Sequence, residues 1–366
     1  VRHVSDAQTL GEAATAPPPA PAISRFEFLP GWVAYGPIIA HWVALGLWYR
    51  DFSLPTAANP GITTGGLCGE RKSAILALAG PTAGRWIART TVFTTGTDDL
   101  ARAEATMAQC GLALPIVVKP DIGCNGTGVR LVRDTAALAA ALAAFPRGIT
   151  LVFQAFSPHP GEAGIFYIRH PEEAHGRVTS LTLKYPPVVT GNGRATLRAL
   201  IEADPRHARL RALYYARLGE RLEQAPAAGE TVQLVFAGNH CKGSIFANGE
   251  AEITPALAAQ IDAIAQDIPD FHFGRFDVRY ASLAELRRGA GFTIIEINGV
   301  GAEATHIWDP RTSLWRIWRD QLAHYGAAWA IGRKMRARGV VPSGLAAMYR
   351  DWRTQRRLMA SYPLND

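Results

Sequence analysis

The sequence predicts an α+β protein, and two observations carry that class. Short apolar runs alternate with period two, as half-buried strands do. They are interspersed along the whole chain with segments whose apolar residues recur at helical spacing. A chain of 366 residues is long enough for roughly two or three modules around a large core. Hydrophobic content of 48% and charged content of 19% exclude general disorder. The net charge of +7 and pI near 9.4 suit a polyanionic partner, whether nucleotide, nucleic acid or anionic membrane. Cys68, Cys110, Cys124 and Cys241 include no CxxC pair. Reduced cytosolic thiols are therefore expected, not a disulfide framework or zinc site.

Residues 1–27 read as a disordered, Ala/Pro-rich leader containing Pro17-Pro18-Pro19-Ala20-Pro21. The basic-then-apolar order of a signal peptide is missing from it. Residues 28–70 combine an aromatic apolar helix with a Gly/Pro-rich loop. Positions 28–49 carry no Asp, Glu, Lys or Arg, and helical spacing puts Trp32, Tyr35, Ile39, Trp42 and Tyr49 along one side. Three readings stay open for this helix: packed on the protein's own core, lying in a membrane interface, or spanning.

Helices follow at about 70–78, at 97–110 with Asp98 and Asp99 in the first turn, and at 134–144. Strands are expected at 115–119, 151–156, 165–168 and 178–184. Segments 197–202 and 205–224 look helical, 231–237 with 243–247 suggests a hairpin, and 255–265 a helix. Residues 311–366 form a basic, aromatic helical segment, with Trp315, Arg316, Trp318, Arg319, Trp329, Arg333, Lys334 and Arg336 in its first part. Basic residues interleaved with tryptophan suit a solvated face or anionic lipid headgroups. No nucleic-acid motif accompanies the charge.

Two features carry chemistry. The strand Pro115-Ile116-Val117-Val118-Lys119 runs into a loop with Gly123, Asn125, Gly126, Thr127 and Gly128. Such a loop can wrap backbone N–H groups around a polyphosphate, with Lys119 as a point charge at its edge. It is neither a Walker loop nor a dinucleotide fingerprint. Further on, Arg275-Phe276-Asp277-Val278-Arg279-Tyr280 and Thr293-Ile294-Ile295-Glu296-Ile297-Asn298 alternate as strands. Folded beside each other, they gather Asp277, Glu296 and Asn298 into an all-oxygen cluster beside Arg275. Hard cations such as Mg²⁺ take such ligands.

A lysine strand, a glycine loop, a hinge and then a metal-binding strand pair resemble the ATP-grasp superfamily over residues 70–310. The resemblance is nearest to carboxylate–amine ligases of the D-alanine–D-alanine ligase and cyanophycin synthetase kind. It implies an ATP-grasp domain over 71–310, two α+β subdomains gripping ATP, with the glycine-loop subdomain at about 115–160. It also implies ATP with two Mg²⁺ ions held by Asp277, Glu296 and Asn298. Nucleotide contacts would come from Lys72, Lys119, Lys184 and the loop Gly123–Gly128. Gln154 and Phe156 match the adenine hinge, and Glu162 the ribose acid. The segment from Val188 through Gly193-Arg194 to Ile201 is similar to one in cyanophycin-synthetase-like ligases. Arg275 would act on the acyl phosphate or the tetrahedral oxyanion, with a salt bridge to Glu296 as its structural alternative. Glu303 and His306 are candidates for meeting the amine.

The expected activity joins a small-molecule carboxylate to an amine in the cytoplasm, peripherally at the inner membrane face if the aromatic helix and basic tail meet lipid. A phosphotransferase, or a non-catalytic nucleotide-binding membrane-associated protein, is the alternative. No nucleic-acid partner is expected. The chain departs from the family before residue 70, and again at Gly299-Val300-Gly301-Ala302-Glu303, where dipeptide ligases have Ser-Pro-Gly.

Overall fold

The computed structural model describes residues 29–236 and 238–364, so the expected leader lies outside the described residues. Helix α1 (Gly31–Tyr49) is followed by short helices α2 (Lys72–Ala77) and α3 (Pro81–Gly84). Strand β1 (Thr90–Thr94), α4 (Asp99–Gln109), β2 (Ile116–Pro120), β3 (Arg130–Val132), α5 (Thr135–Ala143) and β4 (Thr150–Ala155) come next. The four strands form an antiparallel sheet in the order β1-β4-β2-β3. Its core is Phe93, Met107, Ile116, Val118, Leu138, Leu151 and Phe153, with α4 and α5 laid on one face.

Strands β5 (Gly161–Ile168), β6 (Arg177–Tyr185) and β7 (Val188–Thr190) precede helices α6 (Leu197–Ala203), α7 (Pro205–Arg209) and α8 (Arg211–Leu218). Then follow β8 (Thr231–Gln233), β9 (Ile245–Asn248), α9 (Pro255–Gln266), β10 (Phe273–Tyr280), α10 (Leu283–Arg287) and β11 (Phe292–Asn298). The larger sheet runs β11-β10-β5-β6-β9, all antiparallel. One face packs Ile165, Leu181, Phe276 and Val278 against Leu257, Ile261 and Ile264 of α9. On β10 the alternate residues Phe273, Arg275 and Asp277 therefore face the other way. Phe166 and Phe273 there meet Ala328 and Ile331 of α11 (Leu314–Ala337). Helix α12 (Leu345–Met359) closes the chain.

Three expectations are corrected. The hairpin proposed for 231–237 with 243–247 does not form: β8 pairs with β7 and β9 with β6, and Ala237 lies outside the described residues. The helix expected over 205–224 breaks at Leu210 and again at Gly219, whose positive φ of 49° ends α8. Helix α1 splits its aromatic stripe. Trp42 meets Tyr325 and Trp329 edge-on, and Tyr49 stacks on Trp329 at 5.8 Å, while Trp32 and Trp48 are 78% and 80% exposed. A helix can bury one face while its opposite face meets solvent, so α1 has a side packed on α11 and an aromatic side facing outward. Among the described residues no helix is long and apolar enough to cross a membrane.

Candidate active site

A cavity of about 550 Å³ opens between the two sheets. Strand pairing builds its floor: Arg275 lies opposite Asn298 and Asp277 opposite Glu296. Simple alternation would send Phe292, Ile294, Glu296 and Asn298 to one face. The register instead pairs Asp277 with Glu296 and Val278 with Ile294. Ile295 is thus an extra, bulged residue, and the bulge turns Phe292 and Ile294 into the α9 core while Glu296 and Asn298 face the cavity. The bulge also frees the Ile295 carbonyl, which accepts from Lys119 Nζ at 2.8 Å and Gln154 Nε2 at 3.1 Å. Nothing in the sequence's period announces it.

Three lysines from three elements converge on this floor. Lys184 of β6 sits 2.9 Å from Asp277 and 3.3 Å from Glu162. Lys72, at the start of α2, pairs with Glu296 at 3.2 Å and also donates to the Gly123 carbonyl. Lys119 donates to Gln154 Oε1 at 3.0 Å besides Ile295. Burial pushes its pKa down to about 8, opposed by Glu296. Arg275 forks onto Asp277, 2.9 Å to each oxygen, so its ion pair is with Asp277 and not with Glu296. Asn298 donates to Asp277 at 3.2 Å. Although burial pushes its pKa up, Arg275 and Lys184 hold the Asp277 carboxyl far below the usual range. Glu296 is also lowered, by Lys72 and Lys119 against burial.

The glycine loop lies over this cage. Asn125, Gly126 and Gly128 have positive φ of 55°, 64° and 71°, the backbone that turns successive N–H groups into an anion-binding concavity. At Gly128 a Cβ would come 2.9 Å from the Pro120 ring, so the loop is shaped for glycine there. Gly123, Asn125, Gly126 and Thr127 all line the cavity, as do Val117, Gln154, Phe156 and Glu162. Glu162 is held by Arg279 at 3.3 Å as well as by Lys184.

Of the expected amine-side residues, Glu303 lines the cavity and His306 does not. His306 turns to Asp320 of α11, 3.1 Å away, because its short turn packs on that helix. Sequence reasoning missed Tyr35 and Tyr325 as cavity walls. Their only signal was their place in the aromatic stripe of α1 and in the Trp-rich tail.

The donor set fits a hard divalent cation in kind: two carboxylates and a carboxamide, all oxygen donors. Among the described residues no group of three His, Cys, Asp or Glu side chains gathers, and Asn298 is the third oxygen-bearing side chain beside Asp277 and Glu296. The cavity also fits a polyphosphate. Lys119 is a buried ammonium whose hydrogen bonds go to neutral oxygens, and a buried cation without a direct counterion is costly.

No protein-family model matches the chain, and no curated protein matches it. Solved structures do match. A bifunctional glutathione synthetase from Pasteurella multocida overlaps 69% of this chain at 18% identity and TM-score 0.37. A D-Ala:D-Ser ligase from Enterococcus faecalis overlaps 72% at 14% identity and TM-score 0.40. A D-alanine–D-alanine ligase from Helicobacter pylori overlaps 68% at 14% identity and TM-score 0.36. The chain spans 35%, 63% and 60% of their respective lengths. These neighbours are a synthetase and two ligases. All three TM-scores lie below 0.5, and the chemistry of the cavity stands on its own side chains.

Proposed function

We propose that this protein is an ATP- and Mg²⁺-dependent ligase that activates a carboxylate as an acyl phosphate and joins it to an amine. The observation that carries the reading is the cage itself: Lys72, Lys119 and Lys184, from three separate elements, around Asp277 and Glu296 beneath a glycine loop.

A carboxylate acylates poorly at neutral pH because its oxygen is a poor leaving group. Phosphorylation from ATP repairs this, and an amine then displaces phosphate through a tetrahedral intermediate. The transferring group spreads charge over several oxygens, so fixed cations in a water-poor cleft lower its barrier. In this reading Lys119 and Lys184 hold phosphate oxygens, and Lys72 ties the glycine loop to the floor through the Gly123 carbonyl. Loop residues Gly123, Asn125, Gly126 and Thr127 wrap the phosphates, and Gly128, buried against Pro120, shapes the turn behind them. Gln154 and Phe156 border the base, and Glu162 meets the ribose. Asp277, Glu296 and Asn298 would hold the metal ions, which neutralise phosphate charge and orient the transfer. Arg275, steered by Asp277, faces the oxyanion of the intermediate. With Asp277 and Glu296 engaged as metal ligands, Lys184 would turn from Asp277 to phosphate, while Lys72 would keep its hold on the Gly123 carbonyl.

The test is a screen for ADP release over carboxylate and amine pools, with mass detection of the product. Amide product and ADP in equal amounts support the reading. ADP accompanied by a stable phosphorylated product, indifferent to amine, would point to a phosphotransferase. A membrane-proximal substrate is part of the proposal only if the outward face of α1 binds anionic vesicles, which co-sedimentation measures.

A further inference from the structure

Beyond Arg275 the cavity reaches a wall that none of the nucleotide-holding groups uses. Glu303 is sunk in this wall and reachable from the cavity. Its Oε1 accepts from the Tyr35 hydroxyl at 3.0 Å and from Gln321 Nε2 at 3.4 Å, and its Oε2 accepts from Trp308 Nε1 at 3.3 Å. A carboxylate offers about four acceptor positions, so three neutral donors leave room for one more. Its charge has no ion-pair partner among the described residues, and the Arg275 guanidinium, committed to Asp277, offsets it only from a distance. Arg275 gives its fork to Asp277 and donates Nη1 to the Glu303 backbone carbonyl at 3.0 Å. Burial accordingly pushes the Glu303 carboxyl above its ordinary value.

The surrounding walls are aromatic. Tyr35 of α1, Tyr325 of α11 and His240 line the cavity beside Glu303. His240 stacks on Trp308 at 3.9 Å, and burial, with Arg206 and Arg275 nearby, holds its pKa down at about 4, so it is a neutral ring. Buried carboxylates are found with a counterion, and aromatic faces attract an organic cation. An ammonium supplies both the missing charge and a donor for the remaining lone pair.

We propose that Glu303, walled by Tyr35, Tyr325 and His240, seats the ammonium group of the amine substrate, next to the Arg275 guanidinium. Calling this amine the substrate rests on the ligase reading; the ammonium seat itself does not. Two of its walls come from α1 and α11, so these helices shape the acceptor side.

The full chain is titrated by calorimetry at pH 7 with n-butylammonium and with n-butanol, its uncharged counterpart. Saturable binding of the ammonium is expected, with the alcohol at least about tenfold weaker. Glu303→Gln should weaken ammonium binding about tenfold or more, whereas Glu303→Asp, which keeps the charge, should recover part of it. Trp48→Ala, on the exposed side of α1 and outside the cavity, should retain binding within a few-fold. Equal binding of ammonium and alcohol, no saturable ammonium binding, or unchanged affinity in a folded Glu303→Gln variant would each overturn the proposal. Ammonium binding without any ADP-forming activity would sink the ligase reading and leave the seat standing.

Discussion

Lys119 shows how one residue's surroundings become a measurable property. Its ammonium is buried and its pKa sits near 8, chiefly through desolvation. A bound polyphosphate favours the charged form, which is present below about pH 8 and lost above it. Affinity for ADP should therefore be about tenfold lower at pH 9 than at pH 7. Lys119→Arg keeps its charge across that window and should flatten the profile, whatever its absolute affinity. Nucleotide titrations at several pH values check this, and an identical slope in both proteins would remove Lys119 from the phosphate site. The sequence already marked Lys119, since a lysine closing an apolar strand before a glycine loop is a legible pattern. It said nothing of the Ile295 carbonyl that holds that lysine, because a bulge depends on how two strands are paired.

Among the elements, α1 separates what was readable from what was not. Its aromatic composition was plain, but which rings pack depends on α11, a helix nearly three hundred positions away. Trp329 is fully buried where Trp42 and Tyr49 meet it. Trp329→Ala should cost about 3–5 kcal/mol of stability by leaving a large cavity. Trp32→Ala and Trp48→Ala, on the outward face, should stay within about 0.5 kcal/mol. Denaturant unfolding distinguishes them, and equal losses would mean that α1 does not pack as described. Strands β10 and β11 were legible because polar residues fall on alternate positions, Arg275, Asp277 and Arg279 on one and Glu296 and Asn298 on the other. The mispredicted hairpin failed because short strands β8 and β9 carry no local mark of their partners. Helix α12 was legible as a basic helix, but not as a strap. Tyr362, just beyond it, donates to the Ile122 carbonyl at 2.9 Å, and Gln355 accepts from the Gly69 amide at 2.6 Å. The helix thus links the glycine loop to the segment before α2. Ending the chain after Gly344 should speed amide hydrogen exchange across residues 122–128 while leaving that of β10 near its original rate. Unchanged exchange in the loop would refute the strap.

At the scale of the molecule, two antiparallel sheets both contribute charged groups to one cleft. The smaller sheet brings Lys119 and the glycine loop, and the larger brings Lys184, Asp277 and Glu296. Each cation is now held by an acid or a carbonyl that a metal–nucleotide complex would replace, so the cleft is arranged for an exchange of partners. That exchange is the central claim, and turnover tests it most directly. ADP release with mass-identified product is measured for the native protein, Asp277→Asn and Glu296→Gln, with and without magnesium. The account predicts magnesium-dependent ADP and an amide product in the native protein, reduced by about 100- to 1,000-fold in either variant. Native-like turnover in folded Asp277→Asn or Glu296→Gln would contradict it.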